Sequence, residues 1–190
     1  METKSILLVG VGGQGTILAS KLLTLGLLEA GFDVKMSEIH GMSQRGGSVS
    51  SQVRYGSRVD SPVIEMGGAD ILVSFELMEA LRWLNYLQPS GRVIVNDYRI
   101  PPMPVITGDA VYPEGILEEL QQVADVTAID AAAIAASLGN PRVMNVVLLG
   151  AIVKSMGLTE NDWPHIIREN VKLAFAELNI KAFQAGMEAV

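Results

Sequence analysis

The sequence predicts an α/β fold in which a mostly parallel sheet carries helices on both faces and a helical third follows at the C-terminus. Short aliphatic runs alternate with helical patterns along most of the chain. The composition of 19 glycines with only 5% aromatic residues is typical of aliphatic packing and of tight turns between strands and helices. A length of 190 residues suits one domain, so we expect residues 1–190 to form a single unit.

The first strand and helix are joined by a glycine loop. Residues 6–9 are all aliphatic, as in a strand buried on both faces. The next residues satisfy G-x-G-x-x-G, and an apolar helical pattern begins directly at Thr16. This order is that of a Rossmann-like three-layer sandwich, in which backbone approaches a ligand closely and the helix directs unpaired N–H groups at it. We therefore expect a phosphate or another anion there, the alternative being a purely structural turn; the candidate residues are Gly10, Gly12, Gly13, Gln14 and Gly15.

The remaining elements follow from periodicity and from turn residues. A helix over residues 16–30 ends at Gly31, and a strand over 34–39 would complete a βαβ unit. Alternation predicts a strand over 49–55, and aliphatic runs predict buried strands over 71–75 and 93–95. Further strands are expected over 125–129, as a hairpin extension over 63–66, and as a short edge strand over 105–106.

The later helices are predicted in the same way. Apolar residues with a 3.6-residue period predict a helix over 77–87, and another is expected over 114–122. Asp130 is the expected N-cap of an alanine-rich helix that runs to Ser137. Residues 143–156 are too hydrophobic all round for a surface helix. An amphipathic helix over 169–186 closes the chain.

A polar, glycine-flanked segment after the second predicted strand is the second candidate site. An arginine between small residues can bind a phosphate with both arms of its guanidinium group, helped by neighbouring N–H and hydroxyl donors. The alternative is an ordinary surface loop with a solvated arginine. The candidate ligand-binding residues are Ser43, Gln44, Arg45, Gly46 and Gly47.

Composition excludes several classes of function. A net charge of −7 argues against nucleic-acid binding, since no basic stripe meets a phosphate backbone. The absence of cysteine removes thiolate nucleophiles, disulfides and cysteine-ligated clusters, and two distant histidines make a protein metal site unexpected. We see no signal peptide and no apolar run long enough for a membrane span, so we expect a cytoplasmic protein without a membrane partner. We assign no catalytic residue and no metal ligand.

One alternative function is a free-standing NAD(P)-dependent Rossmann oxidoreductase. Glu38 lies 23 positions after Gly15 (38 − 15), near where an acid would bind the adenosine ribose. Against this, the chain has no convincing Tyr-x-x-x-Lys or His–Asp pair. A second alternative is a nucleotide-sensing or purely structural partner domain, because a fold alone does not define chemistry.

Four ordered blocks of sequence carry a family resemblance. They are G-V-G-G-Q-G near the N-terminus, S-E-I-H-G-M-S-Q-R-G-G-S-V, L-G-N-P-R-V-M-N-V-V-L-L-G, and E-L-N-I-K-A-F-Q-A-G near the C-terminus. In this order and spacing the chain resembles the gamma-type domain of the 2-oxoacid:ferredoxin oxidoreductases. The resemblance extends over essentially the whole chain.

The resemblance implies a function as a subunit. Such enzymes oxidatively decarboxylate a 2-oxoacid, join the acyl group to coenzyme A and pass electrons to ferredoxin, using thiamine diphosphate and iron–sulfur clusters. Because this chain has no cysteine and no G-D-G followed by paired asparagines, both cofactors are expected on a larger partner subunit. The chain itself is then non-catalytic alone and a candidate coenzyme A-binding domain. The resemblance implies indolepyruvate or another arylpyruvate as the 2-oxoacid.

Overall fold

A six-stranded sheet forms the centre of the molecule. The computed structural model describes residues 2–39 and 46–190. Within these residues the strand order is β2-β3-β1-β4-β5-β6, and every strand except β3 runs in the same direction. The mostly parallel sheet is therefore confirmed. The strands are β1 (Lys4–Val11), β2 (Asp33–Glu38), β3 (Ser48–Gly56), β4 (Ala69–Ser74), β5 (Leu87–Asn96) and β6 (Asp125–Ile129).

Helices cover both faces of this sheet, and every element after β6 is helical. In the described part of the chain, short 3₁₀ turns lie at Leu84–Tyr86, Pro141–Val143 and Leu173–Phe175. The α/β class and the helical C-terminal third are both confirmed. The α-helices are α1 (Thr16–Glu29), α2 (Leu77–Trp83), α3 (Met103–Ile106), α4 (Ile116–Val123), α5 (Ala131–Ser137), α6 (Met144–Met156), α7 (Trp163–Asn170) and α8 (Ala176–Glu188).

Strand β1 lies between two hydrophobic cores. Ile6 and Leu8 pack into the core beneath α1 and α5 to α8, whereas Leu7 and Val9 pack into the core beneath α2 and α4. All four side chains are fully buried. The uninterrupted aliphatic run thus follows from burial of both strand faces, because successive side chains point to opposite sides of a sheet.

The second strand differs from the prediction of a simple βαβ unit. Strand β3 pairs antiparallel with β1 along its whole length, from Lys4 opposite Tyr55 to Val11 opposite Ser48. It therefore occupies the place beside β1, and β2 pairs only with β3 at the edge of the sheet. Periodicity detects each strand but not which strand lies beside it, so the helical connection to β2 spans one intervening strand.

Helices α6 and α8 approach each other at two glycines. Residues 145–153 of α6 are all buried, as its apolar sequence predicts. A Cβ atom on Gly186 would lie 1.8 Å from the carbonyl oxygen of Val147, and one on Gly150 would lie 2.0 Å from that of Phe183. Only hydrogen in place of a side chain lets these backbones pack so closely.

Two predicted strands are wrong. The segment 105–106 lies in helix α3, which Pro104 favours near its N-terminus because its φ is already helical. The segment 63–66 forms no strand. There the Arg54 guanidinium donates to the carbonyl oxygens of Ser61 and Val63, both at 3.1 Å, so a side chain satisfies groups that a ladder would otherwise pair.

Two predicted helices are too long. The helix over 77–87 ends at Trp83, and Leu87 instead pairs with Ala69 as the start of β5. The helix over 169–186 is interrupted, because Val171 and Lys172 adopt extended backbone conformations between α7 and the 3₁₀ turn. In both cases the apolar spacing continues past the residue where the helix ends, so sequence periodicity does not reveal that end.

No helix of the described residues combines the length and the apolar character that crossing a membrane requires.

Candidate functional site

The glycine loop between β1 and α1 is held by the side chain of Gln14. Its Oε1 accepts a hydrogen bond from the Val11 N–H at 2.8 Å, and its Nε2 donates to the carbonyl oxygen of Phe75 at 2.7 Å. A Cβ on Gly10 would lie 2.9 Å from both Gln14 Oε1 and Phe75 Cβ. Gly10 therefore makes room for Gln14, which fastens the loop to the end of the neighbouring strand β4.

Helix α1 begins without a side-chain cap. Its N-cap, Gly15, has a φ of 81° and, being glycine, provides no side chain to accept from the first turn. The first N–H groups of a helix have no intrahelical acceptor, and they carry the positive end of the helix dipole. The Asn145 side chain of α6 instead binds the other side of the cap, donating from Nδ2 to the Gly15 carbonyl oxygen at 3.1 Å.

Gly46 and Gly47 meet the glycine loop. The Gly12 N–H donates to the Gly47 carbonyl oxygen at 2.8 Å, and the Gly46 N–H donates to the Gly12 carbonyl oxygen at 3.2 Å. These bonds continue the ladder between β1 and β3, and they engage the N–H of Gly12. Of the predicted site residues, Gly10 to Gly15, Gly46 and Gly47 therefore come together. Ser43, Gln44 and Arg45 lie outside the described residues.

The start of strand β3, directly after Gly47, is hydrogen-bonded to helix α2. The Ser48 hydroxyl donates to the Glu79 carboxylate and accepts from Trp83 Nε1 at 3.2 Å. Arg82 Nε lies 2.9 Å from the same buried carboxylate, and the positive charge of Arg82 compensates the negative charge of Glu79. Strand β3 thus begins at a fixed position beside the glycine loop.

Two cavities open on either side of the glycine loop. The helix-side cavity, of about 270 Å³, is lined by Gly12, Gly13, Gly15, Thr16, Ile17, Ile39, Val49, Ser50 and Ser51. The sheet-end cavity, of about 580 Å³, is lined by Val11, Gly12, Gly13, Gln14, Gly15, Gly46, Tyr98, Ile100, Ala132, Pro141, Arg142 and Met144. The sheet-end cavity lies at the carboxyl ends of β1 and β5, the edge at which open α/β sheets bind ligands.

Glu38 is engaged by helix α1. Its Oε1 accepts from the Ser20 hydroxyl at 2.9 Å, and it lies at the end of the edge strand β2 with β3 between that strand and β1. Glu38 lines neither cavity. Glu38 therefore does not lie at the ribose-binding position that its spacing from Gly15 suggested.

A buried carboxylate after β4 was not anticipated from the sequence. Glu76 is fully buried and caps α2 by accepting from the Glu79 N–H at 3.0 Å. It also accepts from the Ile100 N–H at 3.1 Å and from the Tyr112 hydroxyl. Burial, and then the hydrogen bond to Glu76, raise the pKa of Tyr112. Glu76 thus holds Ile100 and Tyr112, which lie near the two ends of the segment between β5 and α4, and Ile100 lines the sheet-end cavity.

A third cavity adjoins the sheet-end cavity and was also not anticipated. We call it the asparagine cavity; its volume is about 330 Å³, and Arg142 lines both it and the sheet-end cavity. Five of its ten lining residues come from two of the motif blocks, and nothing in the sequence indicates that these two blocks lie side by side. The cavity is lined by Leu18, Asn140, Arg142, Val143, Asn145, Asn170, Val171, Lys172, Phe175 and Asn179.

Metal ligands do not cluster in the described ranges 2–39 and 46–190, where no group of three or more histidine, aspartate or glutamate side chains is arranged to hold an ion.

Comparison with protein families decides the classification. The family model described as pyruvate ferredoxin/flavodoxin oxidoreductase matches residues 5–189. The chain belongs to this family. The match confirms the resemblance carried by the four motif blocks and gives no support to a free-standing nicotinamide-dependent dehydrogenase.

Relatives in this family match along the whole chain. The indolepyruvate oxidoreductase subunit IorB of Pyrococcus horikoshii is 40% identical, with 100% of this chain and 96% of that protein covered. The subunit of the same name from Archaeoglobus fulgidus is 39% identical, with 96% of this chain and 92% of that protein covered.

Solved structures share the fold. The keto/oxoacid ferredoxin oxidoreductase gamma subunit of Geobacter sulfurreducens superimposes with a TM-score of 0.72 at 25% identity, covering 98% of this chain and 97% of that one. A 2-oxoglutarate:ferredoxin oxidoreductase from Magnetococcus marinus matches with a TM-score of 0.76 at 18% identity. All of this chain is covered there but only 31% of the other, so the same fold is part of a longer polypeptide in that protein.

Proposed function

We propose that this chain is the smaller subunit of a 2-oxoacid:ferredoxin oxidoreductase that acts on indolepyruvate or another arylpyruvate. The enzyme would decarboxylate the 2-oxoacid oxidatively, form an acyl-coenzyme A and transfer electrons to ferredoxin. The observation that carries the proposal is the full-length similarity to indolepyruvate oxidoreductase subunits, at 40% identity over 197 aligned residues. We place the complex in the cytoplasm and treat residues 1–190 as one unit of it.

The redox chemistry belongs to a larger partner subunit in this proposal. Iron–sulfur clusters are held by cysteine thiolates, and none of the 190 residues is cysteine. Thiamine diphosphate would supply carbanion stabilisation at the 2-oxo carbon when bound to the partner. The part of this chain would be to hold and orient a second substrate.

Coenzyme A is the ligand that we propose for the glycine loop. The uncapped N-terminus of α1 offers N–H donors and a positive dipole end to a phosphate. Because the N–H groups of Gly12 and Gln14 donate to the carbonyl oxygens of Gly47 and Val11, the donors that we propose for the phosphate are those of Gly13, Gly15 and the first turn of α1. Arg45 follows in sequence as a second donor group, next to Gly46, which lines the sheet-end cavity.

The test uses the complex of this chain with its larger subunit. We expect Arg45→Ala to weaken coenzyme A binding about tenfold, since a charge-assisted hydrogen bond contributes about 1.5 kcal/mol or more. Arg58→Ala is the matched control, because Arg58 is exposed, paired with Asp60 and outside the cavities. Unchanged affinity in Arg45→Ala would reject the role of this arginine.

A second measurement tests the proposal of a dependent subunit. The purified chain alone is expected to be colourless and inactive, and the complex is expected to show iron–sulfur absorbance and to reduce ferredoxin with an arylpyruvate. Turnover of indolepyruvate by this polypeptide without a partner would overturn the proposal.

A further inference from the structure

The segment between β5 and α4 exposes several large apolar side chains. We call this segment, residues 97–115, the proline segment, after the prolines that it contains. Met103 and Ile106 lie one turn apart in α3 and are each 66% exposed, and Val111 is 88% exposed. No residue of α3 is buried. Large apolar side chains grouped on a surface are typical of a contact with another protein.

The proline segment is held in place although it buries little of itself. Glu76 accepts from the Ile100 N–H at 3.1 Å and from the Tyr112 hydroxyl, near the two ends of the segment. Between them the Ala110 N–H donates to the Pro104 carbonyl oxygen at 3.0 Å, which folds the chain back on α3. Burying a carboxylate costs free energy, and the exposed side chains between these contacts do not offset that cost. A segment fixed in this way favours a partner, because a preorganised surface loses less entropy on binding.

The same surface is acidic. Residues 97–119 contain five acidic side chains and one basic one, all exposed, which gives a net charge of −4 (1 − 5) out of −7 for the whole chain. The acidic residues are Asp97, Asp109, Glu114, Glu118 and Glu119. An apolar patch with an acidic rim is complementary to an apolar patch bordered by lysine and arginine. A second copy of this chain would present the same acidic rim, and repulsion between like charges would oppose that pairing.

The proline segment lies at the same edge of the sheet as the glycine loop. Its residues Tyr98 and Ile100 line the sheet-end cavity together with Gly12, Gly13 and Gly15. In the proposed function, coenzyme A at the glycine loop has to reach the 2-oxoacid on the larger subunit. The larger subunit therefore has to cover this edge.

We propose that the proline segment is a docking surface for the larger subunit, whose matching surface is an apolar patch bordered by lysine and arginine side chains. The inference rests on the proposed function. It assigns Met103, Ile106 and Val111 to the apolar centre of the contact and the exposed carboxylates, such as that of Glu114, to its rim.

The experiment measures the affinity of the full chain for the larger subunit by biolayer interferometry. Met103→Gln/Ile106→Gln is expected to weaken the association about tenfold or more, and Val111→Gln should also weaken it. Val63→Gln/Met66→Gln is the matched control, because these side chains are 57% and 71% exposed, have the same spacing and precede the amino end of β4, away from the proline segment. It should leave the affinity unchanged. Both double variants should keep the urea midpoint of wild type, since the substituted side chains are exposed.

The charged rim is tested by salt. Association should slow as the salt concentration rises, and Glu114→Gln should reduce this dependence, whereas Glu160→Gln, at an exposed glutamate outside the segment, should not. Association that does not depend on salt would overturn the charged rim.

The outcomes separate this inference from the proposed function. An active complex that Met103→Gln/Ile106→Gln forms with unchanged affinity would overturn the docking surface and leave the proposed function standing. Self-association of the isolated chain that the same variant abolishes would identify a second copy as the occupant, and it would also overturn the docking surface. Failure of the wild-type chain to bind the larger subunit would overturn both proposals together.

Discussion

The Asn145 side chain of α6 donates a hydrogen bond to the carbonyl oxygen of Gly15, 130 residues away in the sequence. The contact leaves no room for a side chain at the N-cap of α1, since a Cβ on Gly15 would lie 2.6 Å from Asn145 Nδ2. Two motif blocks that are far apart along the chain are therefore one structural unit. The C-terminal third of the chain fixes the position of the glycine loop.

Removal of this amide is expected to loosen the loop. Asn145→Ala should lower the free energy of unfolding by about 1–2 kcal/mol through the lost hydrogen bond, and it should weaken coenzyme A binding by the complex. Asn161→Ala is the matched control, because the Asn161 amide binds the Gly26 carbonyl oxygen on the same helix at 2.6 Å, far from the loop. Urea denaturation should give similar losses for the two variants. Equal ligand affinity in both would contradict a role for Asn145 at the loop.

The close contact of α6 and α8 should tolerate no side chain. Gly186→Ala would drive a methyl group into the backbone of Val147, and we expect a loss of about 3 kcal/mol in unfolding free energy because the obstacle is main chain. In Gly157→Ala the new methyl group meets open space, and only the φ of 68° is unfavourable, so the cost should be about 1 kcal/mol. Thermal or urea unfolding of the two variants makes the comparison. Similar losses would show that α6 and α8 can separate without strain.

The buried carboxylate of Glu76 is expected to need its charge and its two oxygens. It accepts from the N–H groups of Glu79 and Ile100 and from the Tyr112 hydroxyl, so in Glu76→Gln the new amide group would face donors. We expect a loss of about 2–3 kcal/mol, measured by urea denaturation. Glu160→Gln, at an exposed glutamate, should be within the error of wild type. A neutral effect of Glu76→Gln would mean that the segment after β5 is held by other contacts.

Stability should fall in alkaline solution through Tyr112. Burial and the bond to Glu76 raise its pKa, so the folded protein holds the phenol proton more tightly than the unfolded chain does. This contribution is complete below the unfolded pKa of about 10 and declines as the pH rises above it. Tyr112→Phe should therefore lose less stability than wild type between about pH 9 and about pH 11.

Tyr55 provides the comparison, since burial also raises the pKa of its hydroxyl. Tyr55→Phe should remove a separate part of the alkaline decline, and the double variant should remove both parts. An identical pH dependence in wild type and Tyr112→Phe would contradict the contribution of Tyr112.

The sequence predicted the individual helices and strands better than it predicted which of them lie side by side. Local patterns sufficed where one element decides its own structure, as in the Asp130 cap, whose carboxylate accepts from the Ala133 N–H at 2.8 Å. They failed where a distant partner decides, because nothing local to residues 34–56 indicates that β3 would displace β2 from the side of β1. The same limit concealed the carboxylate of Glu76, whose partners Ile100 and Tyr112 lie 24 and 36 positions away.

The candidate site likewise has one part that could be predicted from the sequence and one part that could not. The glycine loop was visible because its residues are contiguous. Its residue Gly12 contacts Gly46 and Gly47, and whether these residues bind one ligand stays a prediction. The asparagine cavity was not visible, because Arg142 and Lys172, which both line it, lie 30 positions apart in the sequence (172 − 142). The role of Arg45 stays a prediction.

The close packing of α8 on α6 also bears on how the chain matures. During synthesis the apolar residues 144–156 leave the ribosome before residues 176–188, which supply the surface that covers them. Helices α1 and α5, which are made earlier, can already pack against α6, but the apolar surface of α6 that contacts α8 stays uncovered until the last helix is made. We therefore expect the demand for chaperones to be highest late in translation.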